Sequence, residues 1–233
     1  MEIRWLGHSA FEIKIGGKVL LTDPFISGNP KAGTTLDQIG KVDYILLSHG
    51  HFDHVGDTEA ICKNCGAKVI APPELFVCLS KLGIEGQFAN PGGWSDLGGV
   101  RIAMTPAVHS SALGLDTGDI CYTGSPVGLM IEGEGKRIYF AGDTSLCADL
   151  KLVVGEYYKP DIALLPISGI FVLDSEQAAV ATSWINPKVV IPMHYDSLPF
   201  LPEIDPQEFS RMVAMKAPGT KTVILKQGET YKE

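Results

Sequence analysis

Four metal-capable side chains crowd into the seven-residue run Ser48-His49-Gly50-His51-Phe52-Asp53-His54. The run follows the apolar stretch Tyr44-Ile45-Leu46-Leu47, which reads as a buried strand, so the loop leaves a strand's carboxyl end. Imidazole and carboxylate donors together suit zinc, manganese or iron. In an extended segment His49 and His51 project to the same side. Asp53 and His54 come after the chain turns and can face a second position nearby. The expected chemistry is therefore metal-assisted, with one ion on the first pair and a neighbouring ion on the second. The plainer reading is a polar loop that happens to be rich in histidine.

The remaining histidines favour the metal. The chain has six, and His8, His109 and His194 each follow or flank a strand-like run. His109 stands in Pro106-Ala107-Val108-His109-Ser110 after the run Val100–Thr105. Asp143 closes Ile138–Ala141 in Ala141-Gly142-Asp143-Thr144, and His194 follows Val189–Ile191 in Pro192-Met193-His194-Tyr195. Taken singly, each reads equally as a loop polar group or a helix cap. Together with the loop they make five histidines and two aspartates, the ligand count that two ions need if each leaves room for water.

The elements that must position these groups follow from periodicity and turn chemistry. Glu2–Leu6, Phe11–Ile15 and Lys18–Thr22 read as a meander with Gly16-Gly17 as a tight turn. Pro24 to Gly40 is a long Pro/Gly/Ser/Thr-rich loop of the kind that serves as a lid. A helix over Thr58–Asn64, a strand over Lys68–Ile70 and a helix over Glu74–Leu82 come next. The strand Val100–Thr105 lies between loops. A hairpin of Val127–Glu132 with Lys136–Ala141, a helix near Leu146–Tyr158 and a strand over Ile162–Leu165 follow. Ser175–Trp184 is a helix capped by Asp174, with Gln177 reaching back. Val189–Ile191 is a strand, Asp205-Pro206-x-Glu208 opens the last helix, and Thr222–Leu225 is the final strand.

Three of these blocks recur in the same order. Gly17–Asp23 is echoed by Gly135–Asp143, Val42–Leu47 by Pro160–Leu165, and Lys68–Pro72 by Lys188–Pro192, at offsets near 120 residues. This predicts two similar β-rich halves, the alternative being chance likeness between apolar strands. In that scheme Asp23 is the counterpart of Asp143 and orients a ligand histidine rather than binding metal.

Length and composition bound the rest. At 233 residues, with 45% hydrophobic content, the chain can bury a sizeable core and is read as a single domain, 1–233. The net charge of −8 and the lack of a basic stripe argue against nucleic acid as a partner. No leader or membrane-spanning run is expected, and five cysteines, an odd number, imply free thiols in a reducing, cytoplasmic setting. Cys62-x-x-Cys65 ahead of Gly66 reads as two thiols at a helix end rather than a redox pair.

The pattern His49-x-His51-x-Asp53-His54, with His109, Asp143 and His194 following in order, resembles the metallo-β-lactamase superfamily. Leu6-Gly7-His8-Ser9, Leu21-Thr22-Asp23-Pro24, Ala141-Gly142-Asp143-Thr144 and Pro192-Met193-His194-Tyr195 bring it nearer a branch of small metal-dependent hydrolases related to L-ascorbate 6-phosphate lactonase. The loop Ile167-Ser168-Gly169-Ile170-Phe171-Val172-Leu173 departs from that branch, which carries Gly-Gly and Thr-Met there. The resemblance implies an α/β fold, the four-layer αββα sandwich. It implies a first metal on His49, His51 and His109, a second on Asp53, His54 and His194, and Asp143 bridging.

From this we expect a hydrolase that uses a dinuclear, metal-activated hydroxide on a small ester, lactone or phosphodiester. Two divalent ions, two aspartates and a hydroxide leave one net positive charge, which favours an anionic substrate. Zinc is the first expectation, with manganese, iron and nickel as alternatives. Asp53 is a candidate proton donor to the leaving group. His8 reads either as a substrate or proton-transfer residue or as a structural histidine. An RNA- or DNA-processing nuclease and an iron-dependent oxidoreductase are the rival readings, no membrane partner is expected, and a homo-oligomer is compatible with the sequence.

Overall fold

Apolar runs that are buried on both faces build the centre of each of two sheets. The computed structural model describes residues 1–233. The chain divides into two compact units, Met1–Asn90 with Ser110–Pro126 and Leu225–Glu233, and Pro91–His109 with Val127–Ile224.

In the first unit β1 (Glu2–Gly7), β2 (Ala10–Ile15) and β3 (Lys18–Thr22) form the predicted antiparallel meander. β4 (Tyr44–Leu46), β5 (Lys68–Ala71) and β6 (Gly86–Phe88) then add in parallel. Ile45, Leu46, Val69 and Ile70 are all buried, as strands covered on both faces require. The other edge is closed by β16 (Thr230–Lys232) against β1. The helices are α1 (Phe52–Val55), α2 (Thr58–Cys65) and α3 (Pro73–Ser80), and a small hairpin joins β9 (Ala112–Leu113) to β10 (Cys121–Tyr122). Ile61 of α2 and Leu75 and Leu79 of α3 cluster with Leu6, Leu21, Ile45 and Val69 of the sheet.

In the second unit β7 (Ser95–Asp96), β8 (Val100–Pro106), β11 (Val127–Gly133) and β12 (Lys136–Phe140) pair antiparallel. β13 (Ile162–Pro166), β14 (Val189–Met193) and β15 (Lys221–Thr222) continue in parallel. α4 (Ser175–Ile185) is capped by Asp174, which accepts the Gln177 N–H at 2.8 Å. α5 (Pro206–Lys216) starts from Asp205 and an N1 proline, as its sequence predicts. The helix expected near Leu146–Tyr158 is a π-helix over Leu150–Tyr158 that closes with Lys159 N–H on Val154 O, five residues back, at 2.9 Å.

Each sheet, taken by itself, has one and the same plan: four antiparallel strands, then three parallel additions. The sequence echoes are its visible part. Leu20 pairs with Tyr44 and Tyr44 with Lys68, while Ile138 pairs with Ile162 and Ile162 with Val189. The echoed aspartates clasp adjacent strands in the same way. Asp43 accepts the Val19 N–H at 2.8 Å, and Asp161 accepts the Arg137 N–H at 3.0 Å. The register corrects one equivalence. Asp23 N–H bonds Leu46 O and Ala141 N–H bonds Leu164 O, so Asp23 corresponds to Ala141, and Asp143 lies two residues further out.

Three expectations change. The final strand is not Thr222–Leu225 but β16, whose three residues have too little periodicity to be read alone. Edge strands β6, β7, β9 and β10 lie in stretches read as loops, because their side chains are largely exposed and leave no apolar pattern. The 24–40 segment is pinned rather than lid-like: Asp57 Oδ2 accepts the N–H groups of Ile26 and Ser27, each at 2.8 Å, and Gly33 N–H bonds Leu6 O at 2.8 Å. Cys62 and Cys65 lie on α2 ahead of a left-handed Gly66, as expected, and burial first, then Cys65, pushes the Cys62 thiol up to about 11. No helix is long and apolar enough to cross a membrane.

Candidate metal centre

β4 ends at Leu46, and the histidine loop leaves it into the single turn of α1. His49 and His51 do project to one side, with His49 Nε2 2.9 Å from His51 Nδ1. Asp53 and His54 lie on α1, so the turn inferred from spacing is a helical one. The ligand atoms of His8, Asp53 and His54 lie within 4.8 Å of one another, and so do those of Asp23, His49 and His54. The first unit thus gathers His49, His51, Asp53 and His54 with His8 and Asp23 around them.

Hydrogen bonds decide which nitrogen each ring offers. Ser48 donates its single hydroxyl proton to Asp23 Oδ2 at 2.5 Å, so toward His49 Nδ1, at 2.9 Å, its oxygen can only accept. His49 is therefore protonated on Nδ1 and keeps the Nε2 lone pair for a ligand. His54 is set by the same carboxylate, which takes its Nδ1–H at 2.7 Å. Burial pushes the Asp23 carboxyl up, opposed by the charge of His54 and by hydrogen bonds from His54 and Ser48. Asp23 orients a histidine, as the sequence suggested, and works through Ser48 on a second one.

Backbone geometry shows why these residue types stand where they do. His8 and Asp23 hold left-handed φ values of 51° and 32°, which non-glycine residues adopt at a cost. His8 lies in the β1–β2 turn, buried, with Nε2 3.1 Å from Asp53 Oδ2. Its contact is thus Asp53. Gly50 is required by a close approach: a Cβ there would meet Thr123 Oγ1 at 2.1 Å. Gly50 N–H donates to Ser111 Oγ at 3.1 Å, and Ser111 Oγ and Thr123 Oγ1 lie 2.7 Å apart, so the two hydroxyls form a shelf under the loop.

The second unit makes its own cluster. Asp143 Oδ2 lies 3.2 Å from His194 Nε2 and 3.5 Å from His109 Nε2. Both rings thus converge on one buried carboxylate. Ser168 Oγ stands 2.9 Å from His194 Nδ1, which directs that ring as Ser48 directs His49. His194 has a left-handed φ of 63° just beyond β14. The loop that departs from the branch pattern is tied at both ends, by Ser168 to His194 and by Leu173 N–H to Thr144 O at 3.0 Å. The serines escaped the sequence reading. Their one signal was position: each follows an echoed strand by two residues, at the common offset.

The donor sets, borderline imidazoles and hard carboxylates with the second nitrogens of His49, His54 and His194 already engaged, fit zinc, manganese or iron. The sequence matches the family described as beta-lactamase superfamily domain over residues 2–194. It is 44% identical to a UPF0173 metal-dependent hydrolase of Methanopyrus kandleri, covering 99% of both chains. It is 41% identical to one from Archaeoglobus fulgidus, covering 99% of this chain and 98% of that one. Among solved structures it resembles Igni18, a metallo hydrolase of Ignicoccus hospitalis, with a TM-score of 0.88, 38% identity and coverage of 100% and 98%.

Proposed function

This chain belongs to the beta-lactamase superfamily, has the metallo-β-lactamase fold and is a metal-dependent hydrolase, and from this we propose a dinuclear centre acting on small anionic esters, lactones or phosphodiesters. One observation carries the reading. The Nδ1 atoms of His49, His54 and His194 are tied to Ser48, Asp23 and Ser168, so three Nε2 atoms are presented as donors. His49, His51 and His109 would hold one ion and Asp53, His54 and His194 the other, with Asp143 between, as the family resemblance implies. When bound, such ions act as Lewis acids and lower the pKa of water toward neutrality.

The chain's own residues do the rest. Asp23 and Ser48 fix ring orientation, and buried Asp143 brings negative charge to His109 and His194. Asp53 Oδ2 lies 3.1 Å from His8 Nε2, which positions its carboxylate to take a proton from the attacking water and relay it to a leaving group. The local positive charge expected with metal bound supports an anionic substrate despite the acidic chain. The five free thiols support a cytoplasmic setting.

Elemental analysis together with a screen of lactones, phosphodiesters and phosphomonoesters tests this. Two divalent ions per chain, and hydrolysis that is lost on chelation and restored by metal, are expected. Asp143→Asn should lower both metal content and rate. A visible absorption band with oxygen consumption and no hydrolysis would replace the reading with the oxidoreductase one. Salt-dependent RNA binding with cleavage would replace it with the nuclease one.

A further inference from the structure

We propose that Cys78 and Cys121 form an oxidative modification site, a dithiol that a low-molecular-weight disulfide converts into an intramolecular cross-link between α3 and the β9–β10 hairpin. The two Sγ atoms lie 3.6 Å apart although the residues are separated by 43 positions in the chain. Both belong to the first unit. A disulfide brings its sulfurs to about 2 Å. Sulfurs already in van der Waals contact can close that gap by small side-chain rotations.

Access and chemistry single out this pair. Cys121 is exposed and Cys78 partly so. The other neighbouring pair is a poor competitor. Burial pushes the Cys62 thiol up to about 11, and Cys65 Sγ lies 3.2 Å from Ile61 O of its own helix. The thiolate is the attacking species, so the exposed Cys121 reacts first. Its thiolate attacks one sulfur of the small disulfide, forms a mixed disulfide and expels one small thiolate. Cys78, as thiolate, then attacks the Cys121 sulfur and expels the second. The protein dithiol loses two electrons to the small disulfide, and the two thiol protons end on the two small thiols. Burial holds the Cys78 thiol above its ordinary value, so this second step is the slower one.

The cross-link has a place to act. Thr123, two residues beyond Cys121, is half of the hydroxyl shelf on which Gly50 rests. Cys78 comes from the helix that follows β5, the neighbour of the strand that delivers the histidine loop. Oxidation therefore ties a helix to the hairpin that supports His49 and His51.

Oxidised glutathione is the probe. The whole protein is incubated with it, remaining thiols are alkylated, and peptides are mapped by mass. We expect two of the five thiols to disappear and a Cys78–Cys121 linked peptide lighter by two hydrogens. The melting temperature should rise by roughly 5–10 °C, reversibly with dithiothreitol. Cys78→Ser should stop at the mixed disulfide on Cys121, and Cys121→Ser should form no link. A wild-type protein that stops at the mixed disulfide, or that links Cys62 to Cys65 instead, would overturn the proposal. The mapping needs no variant, so a poorly folding substitution leaves the decision intact.

Discussion

At the scale of single residues, two serines decide how two of the clustered histidines are held. Ser48 and Ser168 each place a hydroxyl against the Nδ1 of a histidine, 2.9 Å away in both cases. Partners of this kind fix the tautomer and orientation of a ligand ring. Ser48→Ala and Ser168→Ala should therefore each weaken metal binding by roughly 10- to 100-fold, read by competition with a chromophoric chelator. The Ser48 variant should suffer more, because Asp23 also loses its hydroxyl donor and keeps only the Ser48 N–H and His54. Unchanged affinity in both would show that the serines only fill space. The histidines were legible because the chain has only six and three crowd into one loop, and the aspartates because they stand beside that loop's histidines or at a strand end. The serines were not, because serine at a strand end has many ordinary uses.

Elements that carried a strong period were found nearly to the residue, and those without one were missed. Leu20-Leu21 and Ile138-Tyr139-Phe140 are apolar and buried, whereas β6 and β10 are exposed throughout. The helix before β13 was located, but its π geometry was not, because no residue type signals it. Its packing leaves a mark in the structure: a Cβ on Gly155 would lie 2.3 Å from Trp184 O of α4. Backbone cannot swing aside as a side chain does, so Gly155→Ala should cost about 1–3 kcal/mol. Urea unfolding measures it, with Gly40→Ala, where a Cβ meets nothing within 4 Å, as a control expected within about 0.5 kcal/mol of wild type. Equal stability of the two variants would mean that the π-helix and α4 adjust freely.

For the molecule as a whole, one plan is used twice, and acidic residues pin it. Arg101 first, then Arg137, hold the Glu132 carboxyl below its usual range. Asp161 is also lowered, burial being outweighed by Lys188 and the Arg137 N–H, and so is Asp43, where the Val19 N–H and Lys41 outweigh burial. A carboxylate held low when folded contributes stability above its unfolded value near pH 4, and that contribution is lost as pH falls through the folded value. Thermal stability should thus fall below about pH 4. Glu132→Gln should be less stable at neutral pH and decline less steeply on acidification. A parallel decline would exclude Glu132 as a contributor. By itself the sequence determined which histidines and aspartates could serve as metal donors, which strand ends bear them and that the halves echo each other, since donor type and apolar patterning are local properties. Only the tertiary structure decided which nitrogen each imidazole offers, why position 50 must be glycine and where the short edge strands pair. Those depend on Asp23, Thr123 and β1, groups that the chain brings close only when it folds.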